Sequence, residues 1–548
     1  MKSKNSLIII GITALFCSIN GLKAQTNNYS WDNLPKINEP FFKTDTFNIK
    51  DFGAKADGIA LNTESINKAI NTCSSKGGGV VLVPAGYWLS GPIKLKSNVN
   101  LHLESNAFLQ FTSDFNQYKI IEGNYEGKPS ARNESPVMAT DQENIAITGL
   151  GIIDGNGDAW RMVGKDKLTE REWKAKIASG GLVSDDGKIW IPTEKTKKAY
   201  LEKSSVLLLP NAKLSDFEPI KDFLRPNLVV ITRCNNVLLE GVTLQNSPAW
   251  NLHPLMSSNL TIRNLNIKNP DYAQNGDGLD IESCKNVLVE GSVFDVGDDA
   301  ICIKSGKDEE GRKRNMPTEN VIIRNNIVYA GHGGFVVGSE MSGGAKNIFV
   351  SDCSFIGTDK GLRFKSTRGR GGVVEKIYIK NINMSNIVHE AIYFDMYYWT
   401  KPPLPNQKVE VPKVSVETPQ FKDIEISNVV CNGAEIGVFI RGLPEMAVNN
   451  IKMDNLYLNV NKAIEIKDAT HITIENSKII AKENVPSVYI ENGSNILLDK
   501  VNFDKKNKIT LDINGISSKN ILLKNLDRKK EDVKAVFNHG ADSKMLTY

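Results

Sequence analysis

The chain is 548 residues long, carries a net charge of +4, and is 41% hydrophobic and 24% charged. This length exceeds what one compact core needs, so it excludes a single small domain and leaves either several domains or one elongated repeat. The small positive charge is compatible with an acidic ligand and gives no reason to expect a nucleic-acid partner.

The N-terminus has the pattern of a signal peptide. Two lysines precede an apolar run over residues 7–19, and Ala24 is a small residue at the expected cleavage position. The run is too short to span a bilayer, and no other apolar stretch approaches 18 residues. We therefore expect a signal peptide at 1–24, an extension at 25–46, and a mature protein that is exported to the periplasm or the extracellular space without a membrane partner.

One amphipathic helix is predicted near the start of the mature chain. The segment TESINKAINTCS at residues 63–74 places Ile66, Ala69 and Ile70 on one face. If the rest of the chain is a coil of strands, this helix would cover its open N-terminal end, where an unpaired strand edge would otherwise invite association.

A repeat of alternating aliphatic residues, each copy opened by Asn or another polar residue, runs through the chain. Successive copies from Asn236 onward are mostly 21–34 residues apart, and each contains two or three short strands with Gly, Asn or Asp at the corners. No copy could bury its apolar face alone, so neighbouring copies must stack. The pattern predicts an all-β, right-handed parallel β-helix forming a single domain over residues 47–548, with a ladder of Asn side chains at one corner. The copies begin at Asn98, Asn144, Asn236, Asn259, Asn286, Asn320, Asn347, Lys376, Asp423, Asn450, His471, Asn495 and Asn520.

Residues 158–225 interrupt the repeat. The segment is rich in Lys and Glu and contains three tryptophans. We expect a long inserted loop lying on one face, because long loops in compact domains are usually functional or disordered.

The mature chain contains six cysteines. Export permits disulfides, but most of these cysteines lie in apolar alternating strands, which favours buried free thiols. No spacing among them suggests a zinc site. They are Cys73, Cys234, Cys284, Cys302, Cys353 and Cys431.

Four polar clusters in the middle of the chain indicate a site. They are NGDGLD (275–280), GDDAICIKSG (297–306), GHGG (331–334) and LRFKS (362–366). Aligning the strands GLDIES and AICIKS places Asp277 opposite Asp299, and adjacent strands stack about 4.8 Å apart. An Asp pair at a solenoid corner is more often a turn or a calcium ligand. Carboxylates, an imidazole and two cations on four consecutive turns instead favour acid–base cleavage of an anionic sugar polymer, because like charges this close raise the pKa of one carboxyl.

These clusters resemble, in order, the signature of the polygalacturonase family, glycoside hydrolase family 28, of the pectinase β-helix superfamily. The FNIKDFGAKADG segment at 47–58 is similar to the N-terminal cap of that superfamily. The N-x-D, D-D, G-H-G and R-x-K elements stand here as Asn275-Gly276-Asp277, Asp298-Asp299, Gly331-His332-Gly333 and Arg363-Phe364-Lys365.

The resemblance implies hydrolysis with inversion. Asp298 would be the general acid that protonates the leaving glycosidic oxygen. Asp277 and Asp299 would hold and deprotonate the attacking water, and His332 would tune the protonation of the acid. Inverting enzymes usually hold their carboxyl groups about 6.5–9.5 Å apart, whereas adjacent turns of a coil suggest a shorter separation.

The resemblance also implies a set of substrate-binding residues. Arg363 and Lys365 would bind the substrate carboxylate, since Arg offers a bidentate fork. Asn275 would orient the substrate or a neighbouring Asp, and Tyr397 is a candidate for an adjacent subsite.

These observations predict a monomeric glycoside hydrolase that acts on pectic polysaccharide or oligogalacturonide without a cofactor or metal. The segment 158–225 and the loop 401–419 could close one end of the groove, which favours exo action. Two alternatives remain: a calcium-dependent pectate lyase on the same fold, and a non-catalytic carbohydrate-binding β-helix.

Overall fold

The computed structural model describes residues 29–404, 410–483, 486–503 and 509–548. The predicted signal peptide at 1–24 lies outside these residues. Contacts divide the chain into two units, Met1–Leu34 and Pro35–Tyr548. In the described part of the first unit, the backbones of Ser30 and Asn33 exchange two hydrogen bonds of 3.0 and 3.2 Å.

The unit Pro35–Tyr548 is a parallel β-helix, as the repeat predicted. Each turn contributes a strand to each of three faces, and every strand pairs in parallel with the strand one turn away. The first face consists of Thr46–Asn48, Gly79–Val83, Val99–Leu103, Glu143–Gly149, Asn235–Glu240, Ser258–Arg263, Lys285–Glu290, Thr318–Arg324, Ala345–Ile356, Val373–Ser385, Gln420–Asn432, Val448–Val460, Ala469–Glu475, Ser494–Asp499, Lys519–Lys524 and Leu546–Thr547.

The second face adjoins the first around a corner. Four long strands of the first face, beginning with Ala345–Ile356, continue around that corner into the second face. The remaining strands of the second face are Asp57–Leu61, Gly86–Ser90, Ala107–Phe111, Ile152–Asp154, Thr243–Gln245, Asn266–Lys268, Val293–Asp295, Ile327–Ala330, Lys478–Ala481 and Asn502–Phe503.

The third face is a separate 14-stranded parallel sheet, and it carries the candidate site. We call it the groove face. Its strands are Ile93–Lys94, Val137–Thr140, Val229–Thr232, Leu252–Leu255, Leu279–Glu282, Asp299–Lys304, Gly333–Val337, Leu362–Lys365, Glu390–Asp395, Ile436–Arg441, Lys462–Lys467, Val488–Glu491, Ile509–Asn514 and Val533–Asn538.

The interior of the coil is a continuous apolar core. Inward-facing residues alternate with outward-facing ones along each strand, and the inward ones are almost fully buried. Beneath the groove face, the rings of Phe364 and Phe394 stack with centroids 4.3 Å apart, and Phe335 packs edge-on against Phe364 at 6.1 Å. This aromatic stack fixes the outward direction of the residues on either side of Phe364. The six mature cysteines are all buried free thiols, as predicted.

The predicted Asn ladder is present. All thirteen residues that open the repeats have positive φ, between 51° and 64°, a region in which Asn is favoured among residues with a side chain. Their side chains hydrogen-bond up the stack: Asn320 Nδ2 donates to Asn286 Oδ1 at 3.0 Å, and Asn347 Nδ2 donates to Asn320 Oδ1 at 3.1 Å.

A second ladder, which the sequence did not single out, follows the corner between the first and second faces. Asn381 Nδ2 donates to Asp352 Oδ1, Asn428 to Asn381, and Asn455 to Asn428, each at 2.9 Å. These four residues also have positive φ. Side-chain hydrogen bonds therefore reinforce both of these corners.

Four α-helices lie outside the coil of strands within the described residues. The helix α1 is Thr63–Ser75, in agreement with the prediction of 63–74, and it buries Ile66, Ala69, Ile70 and Cys73 against the first strands of the coil. The others are α2 at Glu170–Ala178, α3 at Glu194–Glu202 and α4 at Asp308–Arg314. None of the described helices is both long and apolar enough to cross a membrane.

The inserted segment 158–225 contains helices and strands of its own. The segment contains α2, α3, the 3₁₀ helix Leu214–Phe223 and an antiparallel sheet of Val163–Gly164, Leu182–Val183 and Ile189–Ile191. Its charged composition covers two small apolar clusters, one of which contains Trp173 and Trp190. The other joins the segment to an antiparallel hairpin of Ile120–Tyr125 and Lys128–Asn133.

Candidate active site

The four polar clusters meet on the groove face. The pairing of Leu279 with Ile301 sets Asp277 opposite Asp299, and the Gly278 amide donates to the Asp299 carbonyl at 2.9 Å. The amide of His332 donates to the carbonyl of Asp298, also at 2.9 Å. The parallel register therefore aligns residues that are more than 20 positions apart in the chain.

These side chains line a cavity of about 510 Å³. Of the predicted site residues, the cavity contains Asn275, Asp277, Asp298, Asp299, His332, Arg363 and Lys365. It also contains residues that the sequence did not single out, among them Trp250, Lys304, Glu340, Lys360, Tyr398 and Trp399.

The three carboxyl groups lie close together. One oxygen each of Asp277, Asp298 and Asp299 lies within 4.8 Å of the others. This separation of nearest oxygens is shorter than the roughly 6.5–9.5 Å typical between the two carboxyl groups of an inverting hydrolase. Carboxylates at this distance cannot all ionise easily, so the cluster holds at least one proton near neutral pH.

Asp299 is the carboxylate held in the charged form. Burial opposes its ionisation, but Lys365 Nζ at 2.7 Å and Arg363 Nη1 at 2.9 Å outweigh burial and hold the pKa of Asp299 well below its usual range. The charged Asp299 is fully enclosed, with 1% of its side chain exposed.

The pKa of Asp277 is shifted in the opposite direction, upward. Burial, followed by the neighbouring charges of Asp280 and Asp298, raises its pKa well above the ordinary value. Burial likewise raises the pKa of Asp280 to about 8, although the nearby Lys304 opposes the shift. The proton of the cluster therefore resides on its buried side in the free protein.

Asp298 is the most accessible of the three acids, with 21% of its side chain exposed compared with 5% for Asp277. Its Oδ1 lies 2.9 Å from Nδ1 of His332. This hydrogen bond, together with the charges of Asp298, Asp299 and Asp359, raises the pKa of His332 above its ordinary value despite partial burial. The accessible acid is thus paired with an imidazole that favours its cationic form.

Lys304 is a central residue that sequence reasoning missed. Its ammonium group lies 3.1 Å from Glu340, 3.5 Å from Asp280 and 4.0 Å from Asp277, and it lies over the ring of Trp250 at 4.8 Å. Lys304 follows Ile303 in the cluster GDDAICIKSG, and alternation with the inward-facing Ile301 and Ile303 places it on the outward side. That alternation was the available signal.

The prediction of Tyr397 as a subsite residue is wrong by one position. Its ring is 5% exposed and packs against the guanidinium groups of Arg368 and Arg441, at 5.2 and 5.5 Å, away from the lining of the cavity. Tyr398 lines the cavity instead, with its ring 4.9 Å from Lys365 Nζ and 5.9 Å from the guanidinium of Arg363.

Asn275 lies at the edge of the cavity and has a φ of 53°. Its side-chain oxygen accepts a hydrogen bond of 2.9 Å from Arg225, which also donates to the carbonyls of Pro248 and Gln274. The segment 158–225 therefore contributes to the site through its last residue, which anchors the loop that carries Asn275.

The wall of the cavity comes from a different part of the chain than expected. Glu126, at the tip of the hairpin, lines the cavity and pairs with Lys307 at 2.8 Å, and Lys128 pairs with Asp308 of α4 at 2.7 Å. Arg370 pairs with the same Asp308. The segment 158–225 packs against this hairpin. The predicted loop 401–419 begins directly after the cavity residues Tyr398 and Trp399. Positions 405–409 of that loop lie outside the described residues.

The structure is a parallel β-helix with carboxyl groups and cations clustered in one cavity, and comparison with known proteins identifies its family. Residues 221–430 match the family model of glycosyl hydrolases family 28, and residues 46–202 match the model described as rhamnogalacturonase A/epimerase, pectate lyase-like. The chain is 31% identical to the exo-poly-alpha-D-galacturonosidase of Dickeya chrysanthemi, covering 64% of this chain and 57% of that one.

Two further similarities extend over most of the matched protein. The chain is 30% identical to the endo-polygalacturonase of Pectobacterium parmentieri, covering 73% of this chain and 85% of the relative. It is 31% identical to an exopolygalacturonase from Thermotoga maritima of known crystal structure, with a TM-score of 0.62, covering 84% of this chain and 93% of that one.

The chain belongs to glycosyl hydrolases family 28. It spans about 60% of the length of the first curated relatives that it matches. The resemblance read from the four clusters is thereby confirmed at the level of the family.

Proposed function

We propose that the protein hydrolyses the galacturonosyl linkages of pectic polygalacturonate by acid–base catalysis with inversion. One observation carries this proposal: three clustered carboxyl groups and the cations Arg363 and Lys365 line one cavity. Hydrolysis needs an acid and a base, and a uronate needs a cationic partner.

We assign the role of general acid to Asp298. It is the exposed member of the cluster, so it can reach the leaving glycosidic oxygen, and proton sharing with the buried Asp277 can return a proton to it. After the proton has left, the His332 imidazolium, 2.9 Å away, stabilises the negative charge of Asp298.

We assign the role of general base to Asp299, which is ionised in the free protein. Asp277, two residues before the neighbouring strand Leu279–Glu282, is placed to hold the attacking water beside it. The short separation of the carboxyl groups leaves little room for this water in the free protein. The base role therefore requires Asp299 to turn from Arg363 and Lys365 when the carboxylate of the substrate takes their charge.

We infer exo action from the ion-paired residues that border one side of the cavity. The hairpin tip with Glu126, the adjoining Lys307, and Arg370 form a wall joined by ion pairs that would block a chain from continuing past the cleavage point. The exopolygalacturonase of Thermotoga maritima, which has 31% identity, supports this inference. Export from the cell, inferred from the signal-peptide pattern, would place the enzyme with its polymeric substrate.

A calcium-dependent lyase is the competing proposal, and the charges at the site weigh against it. The three carboxyl groups could in principle bind a cation. However, Asp299 is already paired with Arg363 and Lys365, and Lys304 lies 4.0 Å from Asp277. Three cations so close to the cluster disfavour a divalent ion by direct repulsion.

The test is hydrolysis of polygalacturonate by the wild type, by Asp298→Asn and by the control Asp295→Asn on the second face. We expect Asp298→Asn to lower kcat by about a hundredfold or more, the low end for lost general acid catalysis, and the control to retain activity. Wild-type products should be of uniform short length from the start, without ultraviolet-absorbing unsaturation and unaffected by a chelator. Near-normal activity of Asp298→Asn would refute the assignment, and unsaturated products would establish the lyase.

A further inference from the structure

A second cavity, of about 680 Å³, lies in the folded segment 158–225 and is distinct from the catalytic cavity. It is bounded by α2, by the region around Trp190, and by Tyr272 of the coil. We call it the insertion cavity. Neither the four polar clusters nor the proposed mechanism uses it.

The walls of the insertion cavity combine aromatic and aliphatic surface with a few charged groups. Phe115 and Tyr272 are partly exposed rings on its lining. The Trp190 ring is almost fully buried, and the ammonium of Lys176 lies over it, 4.2 Å from the centroid. Flat rings beside a few placed polar groups are a typical composition for a small-molecule site.

The two acids of the cavity are already engaged with partners. Asp158 pairs with the buried Arg161 at 2.9 Å and accepts from the Tyr272 hydroxyl at 3.1 Å. Glu172 accepts from the amide and the hydroxyl of Thr169, at 2.8 and 2.7 Å, in the capping box of α2. Asp158 is thus held by Arg161 and Tyr272 while its charge also acts on Lys176, and Glu172 is held in place by two neutral donors.

Lys176 is the cation available to a ligand. Among the described residues, no carboxylate lies within 4.0 Å of its ammonium group, whereas its neighbour Lys174 on α2 pairs with Glu170 at 3.7 Å. Burial, the largest influence, lowers the pKa of Lys176, so a bound anion would relieve part of the cost of keeping it charged.

The insertion cavity borders the catalytic cavity along one short loop. Tyr272 lines the first, and Gln274 and Asn275 line the second. Three residues of extended chain span about 10 Å at most, so the backbones of the two linings are within that distance of each other at this loop. A polymer held at one is thereby kept near the other, which raises its effective concentration.

We propose that the insertion cavity is a non-catalytic binding site for a uronosyl residue of the polymer, with the sugar ring against Tyr272 and Phe115 and its carboxylate on Lys176. The proposal rests on the proposed function, because polygalacturonate is the polymeric substrate in that proposal. The hydroxyl groups of the sugar would donate to the outward lone pairs of Asp158 and Glu172.

The test measures binding of polygalacturonate to the full chain carrying Asp298→Asn, so that no hydrolysis occurs. Lys176→Met and Lys174→Met remove the same charge from the same helix, and methionine can still cover Trp190. We expect Lys176→Met to weaken binding about fivefold and Lys174→Met to leave it unchanged. Equal effects of the two variants would overturn the site.

A second pair of measurements separates this proposal from the proposed function. With Asp298 intact, Lys176→Met should lower kcat/KM on long polygalacturonate by a similar factor and leave digalacturonate unaffected, because a dimer that spans the cleaved bond has no sugar left to enter the insertion cavity. Tyr272→Ala should reproduce this pattern, and Tyr272→Phe, which keeps the ring, should retain most of the polymer preference. If none of these substitutions changes the rate of polymer hydrolysis, the proposed binding site in the insertion cavity is overturned and the proposed function stands. If the protein neither binds nor hydrolyses polygalacturonate, both proposals are overturned.

Discussion

At the scale of single residues, the three acids of the site differ in their contacts and in their burial. Asp299 is charged because two cations contact it, and Asp277 holds its proton because it is buried beside other acids. Asp298 is accessible and paired with His332. Two identical side chains, Asp277 and Asp299, thus have pKa values shifted in opposite directions by their surroundings.

The pairing of Asp298 with His332 predicts a measurable titration. The hydrogen bond to Asp298 is the largest of the influences that raise the pKa of His332, so Asp298→Asn should lower that pKa. The imidazolium will then lose its proton at a lower pH than in the wild type. NMR titration of the ring protons measures this directly; the chain has only six histidines, and His332→Gln assigns the signal. An unchanged pKa in Asp298→Asn would contradict the pairing.

Lys304 is predicted to be a positioning residue. Its charge helps to lower the pKa of Asp299 and opposes the rise in the pKa of Asp277. In Lys304→Met both pKa values should rise, so the base would be protonated at higher pH and the acid limb of the kcat/KM profile would move upward. We expect kcat to fall about tenfold or more, with partial recovery in Lys304→Arg. An unshifted acid limb in a folded Lys304→Met variant would contradict this role.

The sequence predicted most of the site because strand alternation and repeat spacing together fix which side chains share a face. The error at Tyr397 shows where this reasoning ends. The strand Glu390–Asp395 stops before it, and the amide of Tyr397 turns back to bond the Asp395 side chain at 3.0 Å. Beyond the last strand residue the two-residue period no longer holds, so Tyr398 and not Tyr397 faces the cavity.

At the scale of elements, the corners between strands combine strained backbone with side-chain hydrogen bonds. Asn320 has a φ of 60°, donates to Asn286 and accepts from Asn347. Asn tolerates this conformation better than most residues, and the ladder gives each copy two partners. The corners are thus defined by residue identity as well as by packing.

Replacing Asn320 separates these two contributions. Asn320→Ala loses two hydrogen bonds and places a residue that tolerates the left-handed region less well than Asn at a φ of 60°, at a cost of about 2 kcal/mol or more in the free energy of unfolding. Asn320→Gly loses only the hydrogen bonds and should be less destabilised. Urea unfolding of the two variants measures the difference; a glycine variant less stable than the alanine variant would show that the backbone conformation is not the main constraint.

Sequence reasoning could follow the repeat but not what is inserted into it. The repeat predicted the strands and the first ladder, and an amphipathic pattern predicted α1, whereas the segment 158–225 contains the folded elements α2 and α3. Its two small apolar clusters form with parts of the coil and the hairpin, so their partners lie outside the segment. A charged stretch with a few aromatic residues carries no periodic signal for such packing.

At the scale of the whole coil, the hairpin Ile120–Tyr125 and Lys128–Asn133 is predicted to set how the polymer enters. Replacing residues 125–128 by Asn-Gly would preserve a two-residue turn while removing Glu126 and Lys128, which hold the wall to Lys307 and Asp308.

We expect this shortened variant to release oligomers of mixed length from long polygalacturonate, while trigalacturonate is still cleaved. The early product distribution, resolved by chromatography, is the measurement. Uniform short products from the shortened variant would mean that some other part of the cavity selects chain ends.

The stacking of turns also determines which parts of the coil open first by local unfolding. Each turn touches only the turns above and below it, so stability is a sum over neighbouring pairs and each terminal turn has one neighbour fewer than an inner turn. The turns that carry the reacting groups lie well inside the stack, with several turns on either side. These groups are Asp277, Asp299, Arg363 and Lys365. Fraying at the C-terminal turns can therefore proceed by local opening, with amide exchange fastest there, while the reacting groups keep their register.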